Sequence, residues 1–172
     1  DSLRTLLRIG KHLIKIVEWD FLEPILITKN YGKSEDIWEA ISNIKSDYDK
    51  VNLMEMLAEI LSLSKSDTSK SWYKLSNLPE SFEKKDCRGL AYIQFSQILA
   101  RNKSDLIENI NSMLGKIELF SQKLEGYLLV AREFALSRMY DKSLDFIKKI
   151  IAIEPDENAE IYNSPIYYSH IL

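Results

Sequence analysis

The sequence predicts an all-α fold built from antiparallel helical hairpins, and three observations lead to that class. Apolar residues recur at the three- and four-residue spacing of an amphipathic helix along almost the whole chain. The 172 residues include only 5 glycines and 4 prolines, fewer than folds rich in strands and tight turns use. Only a few polar residues separate the apolar stretches, and short turns place consecutive helices side by side in opposite directions.

Five helices are predicted before Pro79, each with apolar residues on one face. Their apolar positions fall within residues 3–17, 22–26, 37–44, 51–63 and 72–78. Asp20 and Ser34 are suited to cap the second and third of these helices. Pro79 lacks the backbone N–H that would continue the fifth helix, so we expect that helix to end or bend there.

Five further helices are predicted in the second half, within residues 90–100, 106–117, 127–134, 141–153 and 165–172. Pro155 follows the helix over 141–153 and should close it. That helix is expected to bury its apolar residues, Leu144, Ile147, Ile150 and Ile151. Ser164 and Pro165 are typical of the cap and first residue of a short last helix.

The size and composition of the chain bound its class further. A chain with 45 % hydrophobic residues and this length can bury one core, so we expect a single helical-repeat domain over residues 1–172. The net charge of −3 lacks the basic excess that is typical of nucleic-acid-binding domains. No apolar run approaches the roughly 18 residues of a membrane-spanning helix. Because the sequence opens at Asp1 rather than at methionine, we expect a fragment or a processed product.

The residues that could carry chemistry do not form a recognisable site. His12 and His170 are the two histidines, and neither belongs to a metal-binding motif. Cys87 is the one cysteine and cannot form an internal disulfide, so we expect a structural thiol in a cytoplasmic protein. The glycines stand singly, without a phosphate-binding loop. We therefore expect neither an enzyme nor a bound cofactor or metal ion.

The chain repeats itself at an interval of about 34 to 38 residues. The pattern Trp-x2-aliphatic-Ser-Asn-aliphatic at 38–44 recurs at 72–78, an offset of 34 residues. The turn sequence Lys-Ser-Asp at 65–67 recurs at 103–105, an offset of 38 residues. A drifting period of this size is typical of helix–turn–helix units stacked side by side.

The last unit carries the sharpest pattern, with Tyr127, Val130, Ala131 and Phe134 on its first helix and Pro155 after its second. This spacing resembles the signature of the tetratricopeptide repeat, a unit of about 34 residues. In such a unit the small residue lets two helices approach closely, and the larger residues fill the space between them.

The same first-helix spacing recurs around three other small residues, Ser96, Ala58 and Gly10. The four small residues are 35, 38 and 48 positions apart, and an extra helix near 34–44 accounts for the longest interval. The resemblance implies a right-handed α-solenoid of about nine or ten helices, with residues 157–172 as a cap on its open end. Ser143 and Ile150 stand where the family prefers alanine, so we expect looser packing between units than is usual in the family. A HEAT-like or otherwise divergent helical array and an irregular helical bundle remain the alternatives.

The resemblance also implies a function. Members of the family bind extended peptides or partner helices on a concave face, which the first helix of each unit lines. Carried over by helical position, the groove candidates are Lys11, Lys15, Glu55, Glu59, Gln97, Arg101 and Arg132. Their charges run basic, acidic and basic again, which suits a protein segment of mixed charge better than a polyanion.

Three other interpretations stay open. The groove candidates are also what the solvated faces of ordinary amphipathic helices look like. A pocket between helices would make the chain a small-ligand carrier or a regulatory subunit, for which only the aromatic content speaks. Nucleic-acid binding by a helical solenoid is favoured by the basic candidates and opposed by the net charge, so we rank it last.

Overall fold

The structure is a computed structural model, and it describes residues 2–14, 37–65, 67–103 and 105–153. Those residues form eight α-helices and no strand, so the all-α prediction is confirmed there. The helices are α1 Ser2–Leu13, α2 Ile37–Ser42, α3 Asp47–Leu63, α4 Ser69–Asn77, α5 Lys85–Asn102, α6 Ile107–Gly115, α7 Phe120–Leu136 and α8 Tyr140–Ala152. The helix predicted over 22–26, Lys15 and the cap predicted over 157–172 lie outside the described residues.

The helix ends follow local chemistry. Ser46 caps α3, because its hydroxyl accepts a hydrogen bond from the backbone N–H of Asp49 at 3.3 Å. Asp47 and Asp49 lie in the first turn, where negative charge is favourable. At the end of α4 the chain tightens into a 3₁₀ turn, Leu78–Ser81, which contains Pro79. The prediction that α4 ends or bends at Pro79 is therefore confirmed.

Helices α1, α3, α5 and α7 lie next to one another in a row. Helix α3 packs between α1 and α5, and α5 packs between α3 and α7. The other helices lie against this row: α2 and α4 on α3, α6 on α5 and α7, and α8 on α7. Among the described residues, no helix combines the length and apolarity needed to cross a lipid bilayer.

The small residues of the repeated pattern mark the contacts within this row. Gly10, Ala58, Ser96 and Ala131 are all buried, one on each of α1, α3, α5 and α7. The large pattern residues buried beside them on α3, α5 and α7 are Met54, Leu57, Leu61, Tyr92, Phe95, Leu99, Val130 and Phe134. On α1 the pattern predicts burial wrongly, because Ile9 is 48 % exposed and Leu6 and Leu13 are only partly buried. The inward positions predicted for α3 and α5 are therefore confirmed, and those predicted for α7 are confirmed except that Tyr127 is only partly buried.

Helix α8 differs from the prediction, which was wrong about the face that it buries. Leu144, Ile147 and Ile151 are exposed, and Ile150 is only half-buried. The buried residues are Ser143 and Phe146, and the Phe146 ring lies 5.4 Å from that of Phe134. Two adjacent faces of α8 are apolar, and hydrophobic spacing alone does not show which of them packs against α7.

Candidate functional site

The groove candidates lie on the row of α1, α3, α5 and α7, next to the buried small residues. Lys11 follows Gly10 on α1, and Glu59 follows Ala58 on α3. Gln97 and Arg132 follow the buried small residues of α5 and α7 in the same way. Because successive residues of a helix are about 100° apart, each of these polar residues lies at the edge of the buried stripe.

We call the polar side chains along this edge the polar row. Its members are Lys11, Glu55, Glu59, Gln94, Gln97, Arg101, Arg132 and Glu133. Hydrogen bonds and ion pairs join the row from one helix to the next. The geometry at its two ends differs.

At the α1 end, a cation of one helix meets two carboxylates of the next. The Lys11 ammonium forms an ion pair with the Glu59 carboxylate. One turn earlier on α3, the Glu55 carboxylate accepts a hydrogen bond from the Gln94 amide of α5 at 3.1 Å. Burial raises the pKa of Glu55, and the negative charge of Glu59 raises it further, while Lys11 opposes both. The surroundings of Glu55 therefore disfavour the charged form of its carboxylate.

At the α7 end, a buried carboxylate gathers donors from α5. Glu133 accepts from Arg101 Nε at 3.1 Å and from Arg101 Nη2 at 2.9 Å, one bond to each carboxylate oxygen. The Gln97 amide donates a third hydrogen bond to Glu133 at 2.8 Å. The hydrogen bonds from Arg101 lower the pKa of Glu133, although burial acts in the opposite direction.

The structure thus brings five of the candidates into contacts between helices: Lys11, Glu55, Glu59, Gln97 and Arg101. Arg132 is exposed and forms no ion pair among the described residues, and Lys15 lies outside them.

Gln94 and Glu133 were missed in the sequence. Glu133 did carry a signal: an acidic residue between the buried Ala131 and Phe134 needs a partner, because carboxylates are rarely buried alone.

The hydrogen bonds between helices have a regular sequence separation. Six of them join residues 36 to 40 positions apart: Tyr48 to Asp86, Gln94 to Glu55, Gln97 to Glu133, Asn102 to Ser62, Gln122 to Asp86 and Lys149 to Asn111. The two bonds from Arg101 to Glu133 join residues 32 positions apart. The pair of Lys11 and Glu59 is 48 positions apart, which equals the longest interval between the small residues. Residues separated by about one predicted repeat length therefore lie close together at these contacts.

Neither His12 nor Cys87 belongs to the polar row. His12 is exposed at the surface of α1. Cys87 is buried, and burial together with the charge of Asp86 raises the pKa of its thiol, the opposite of what a reactive thiolate needs. Within the described ranges, no group of three His, Cys, Asp or Glu side chains is arranged to hold a metal ion.

A small cavity lies between helices α4, α5 and α6. It has a volume of about 40 Å³ and is lined by Trp72, Ser76, Leu99, Asn109, Ser112, Met113 and Lys116. Pockets that hold organic ligands are roughly 300 to 1,000 Å³, so this cavity has room for only a few water molecules.

No protein-family model, no curated protein and no solved structure matches this sequence. The resemblance to tetratricopeptide repeats therefore rests on the spacing of small and large residues in the sequence and stays a prediction.

Proposed function

We propose that this chain is a protein-interaction scaffold without a catalytic role of its own. In this proposal its hairpins stack as a tetratricopeptide-like solenoid, and the polar row binds an extended peptide or a partner helix. The observation that carries the proposal is the 36- to 40-residue separation of six hydrogen bonds between helices. Stacked repeats produce such separations, because each residue contacts its equivalent in the next unit. The buried Cys87 thiol fits a reducing, cytoplasmic setting.

The charges of the polar row support a partner of mixed charge. At the α1 end, Glu55 and Glu59 supply two carboxylates against the single cation of Lys11. At the α7 end, Arg101 and Arg132 supply two cations against the single carboxylate of Glu133. A segment with a basic residue near Glu55 and an acidic residue near Arg132 would balance both ends.

The ion pairs and hydrogen bonds within the polar row determine which substitutions test partner binding without also disturbing the fold. Arg101 holds the buried Glu133, so charge reversal at Arg101 would disturb the fold as well as any partner. Arg132 is exposed, and its reversal changes the surface charge without removing a buried contact. Lys70 is an exposed cation on α4, outside the row, and provides a control of equal charge change.

The test is selection from a displayed library of random peptides on the immobilised chain, followed by anisotropy titration of the enriched peptides. We expect enriched peptides to carry an acidic residue. Arg132→Glu should weaken their binding about tenfold, and Lys70→Glu should change it by less than about twofold. No enrichment at affinities better than about 100 µM, or equal weakening by both variants, would contradict the proposal.

Binding of a small ligand is the second candidate function, and the cavity beside Trp72 does not favour it because of its volume of about 40 Å³. Nucleic-acid binding is disfavoured by the polar row itself, since Glu55, Glu59 and Glu133 would lie beside the phosphates.

A further inference from the structure

Helix α8 carries a line of exposed apolar side chains that nothing in the described part of the chain covers. Tyr140, Leu144, Ile147 and Ile151 are 63 %, 53 %, 40 % and 80 % exposed. Single exposed apolar residues are ordinary on a protein surface, whereas four in a line along one helix mark an interaction surface. We call these four residues the outer stripe.

The spacing of the outer stripe specifies the kind of partner. Its residues follow one another at intervals of four, three and four positions, the heptad spacing of a coiled-coil seam. At about 100° per residue, all four lie within about 60° of each other around the helix axis. So narrow a stripe fits one partner helix rather than a broad apolar surface.

The outer stripe is separate from the contact that α8 already makes. Ser143 and Phe146 face α7, and the Phe146 ring lies 5.9 Å from that of Tyr127. The opposite edge of the outer stripe is charged, with Asp141 and Lys148 one heptad apart, both exposed. A partner helix on the stripe would therefore lie beside this charged edge.

We infer that the outer stripe is a self-association surface, on which α8 of a second copy packs antiparallel. Leu144 then packs against Ile147 of the second copy, and Tyr140 against Ile151 of the second copy. The two-fold symmetry brings Asp141 near Lys148 of the second copy, offset by roughly 3 Å along the helix axis, and it does so twice. This charge complementarity selects a second copy of the chain as the occupant. One helix pair is a small interface, so we expect a dissociation constant on the order of 10 µM.

The first test is sedimentation equilibrium of the full 172-residue chain from about 5 to about 500 µM. We expect a monomer–dimer equilibrium, and we expect Ile147→Glu to remain monomeric because it places two carboxylates in the seam of each dimer. A wild-type chain that is monomeric throughout, or an Ile147→Glu chain that dimerises equally well, would overturn the inference.

The second test uses the charged edge. Asp141→Lys and Lys148→Asp should each weaken self-association about tenfold, because each variant places like charges opposite one another. Mixed in equal amounts, the two variants should associate with each other about as well as wild type does with itself. An equimolar mixture that associates no better than either variant alone overturns the antiparallel arrangement.

Residues 154–172 of the same chain are the competing occupant, and a stability measurement distinguishes the two. If only a second copy covers the outer stripe, Ile151→Glu, at the most exposed position of the stripe, leaves the urea midpoint of the dilute monomer unchanged. A clear fall in that midpoint, without any dimer in the wild type, would assign the stripe to the chain's own C-terminal residues and overturn self-association.

Discussion

Glu133 is buried, with only 7 % of its surface accessible to water, and three donor groups of α5 surround its carboxylate. Such a group stabilises the contact between α5 and α7 only while its donors are present, because a buried charge without partners is costly. Glu55 is the contrasting case, since its charged form has fewer donors and an acidic neighbour. The same residue type therefore has opposite effects at the two ends of the polar row.

Removal of the Arg101 guanidinium should show that Glu133 stabilises the contact between α5 and α7 only while its donors are present. We expect Arg101→Ala to lower the free energy of unfolding by about 2 kcal/mol, less than for a fully buried pair because the Arg101 side chain is 51 % exposed. Arg101→Ala/Glu133→Gln should recover about half of that loss, since no unpaired charge is left. Urea unfolding measures both, with Arg132→Ala as the control; a double variant no more stable than the single one would argue against the pairing.

The two carboxylates should also respond oppositely to pH. The folded-state pKa of Glu133 is lowered, so its contribution to stability is present above the pKa of the unfolded chain and is lost as pH falls. The pKa of Glu55 is raised, so folding favours its protonated form. The free-energy cost of its charge in the folded state is therefore full at neutral pH and vanishes as pH falls through the raised pKa.

We accordingly expect Glu55→Gln to be more stable than wild type at neutral pH, by up to about 1 kcal/mol, and to lose that advantage in acid. The amide oxygen of the new side chain can still accept from Gln94. The exposed Glu125→Gln is the matched control, and an advantage of Glu55→Gln that does not change with pH would refute the electrostatic explanation.

At the scale of the helices, the sequence predicted which helices form better than it predicted where they begin and which face they bury. Every helix expected within the described ranges is present, because apolar spacing reports amphipathic helices well. Helices α3 and α5 begin four to five residues before the expected positions, since polar first turns carry no apolar signal. The donors of Glu133 could not be predicted, because they depend on which two helices become neighbours in space.

Two glycines test how closely the helices approach. A methyl group on Gly126 of α7 would lie 2.7 Å from Leu114 Cδ2 and 3.2 Å from Ile93 Cγ1, whereas one on Gly115 would meet nothing within 4 Å. We expect Gly126→Ala to lower the free energy of unfolding by about 1 to 3 kcal/mol, despite the higher helix propensity of alanine. Gly115→Ala should raise it by up to about 1 kcal/mol. Chemical denaturation measures the change in the free energy of unfolding for each variant, and equal changes would contradict the close packing of α5, α6 and α7.

At the scale of the whole molecule, stability should vary along the row of α1, α3, α5 and α7. Helix α5 has neighbours on both sides, while α8 packs mainly on α7, with one hydrogen bond to α6, and α1 packs mainly on α3. In a stacked array each unit is stabilised by its neighbours, so the units at the ends open most easily. We expect amide hydrogen exchange to be slowest in α5 and fastest in α1 and α8. Uniform protection across the helices would instead indicate a single cooperative bundle.

The regular separation of the hydrogen bonds between helices also bears on how the chain folds. No pair in that set is more than 40 residues apart, so the loop that each one closes is short and its entropic cost is modest. Low contact order of this kind is associated with rapid folding. It also means that α3 can dock against α5 before α7 and α8 have been synthesised, so that the polypeptide can acquire its structure hairpin by hairpin as it leaves the ribosome.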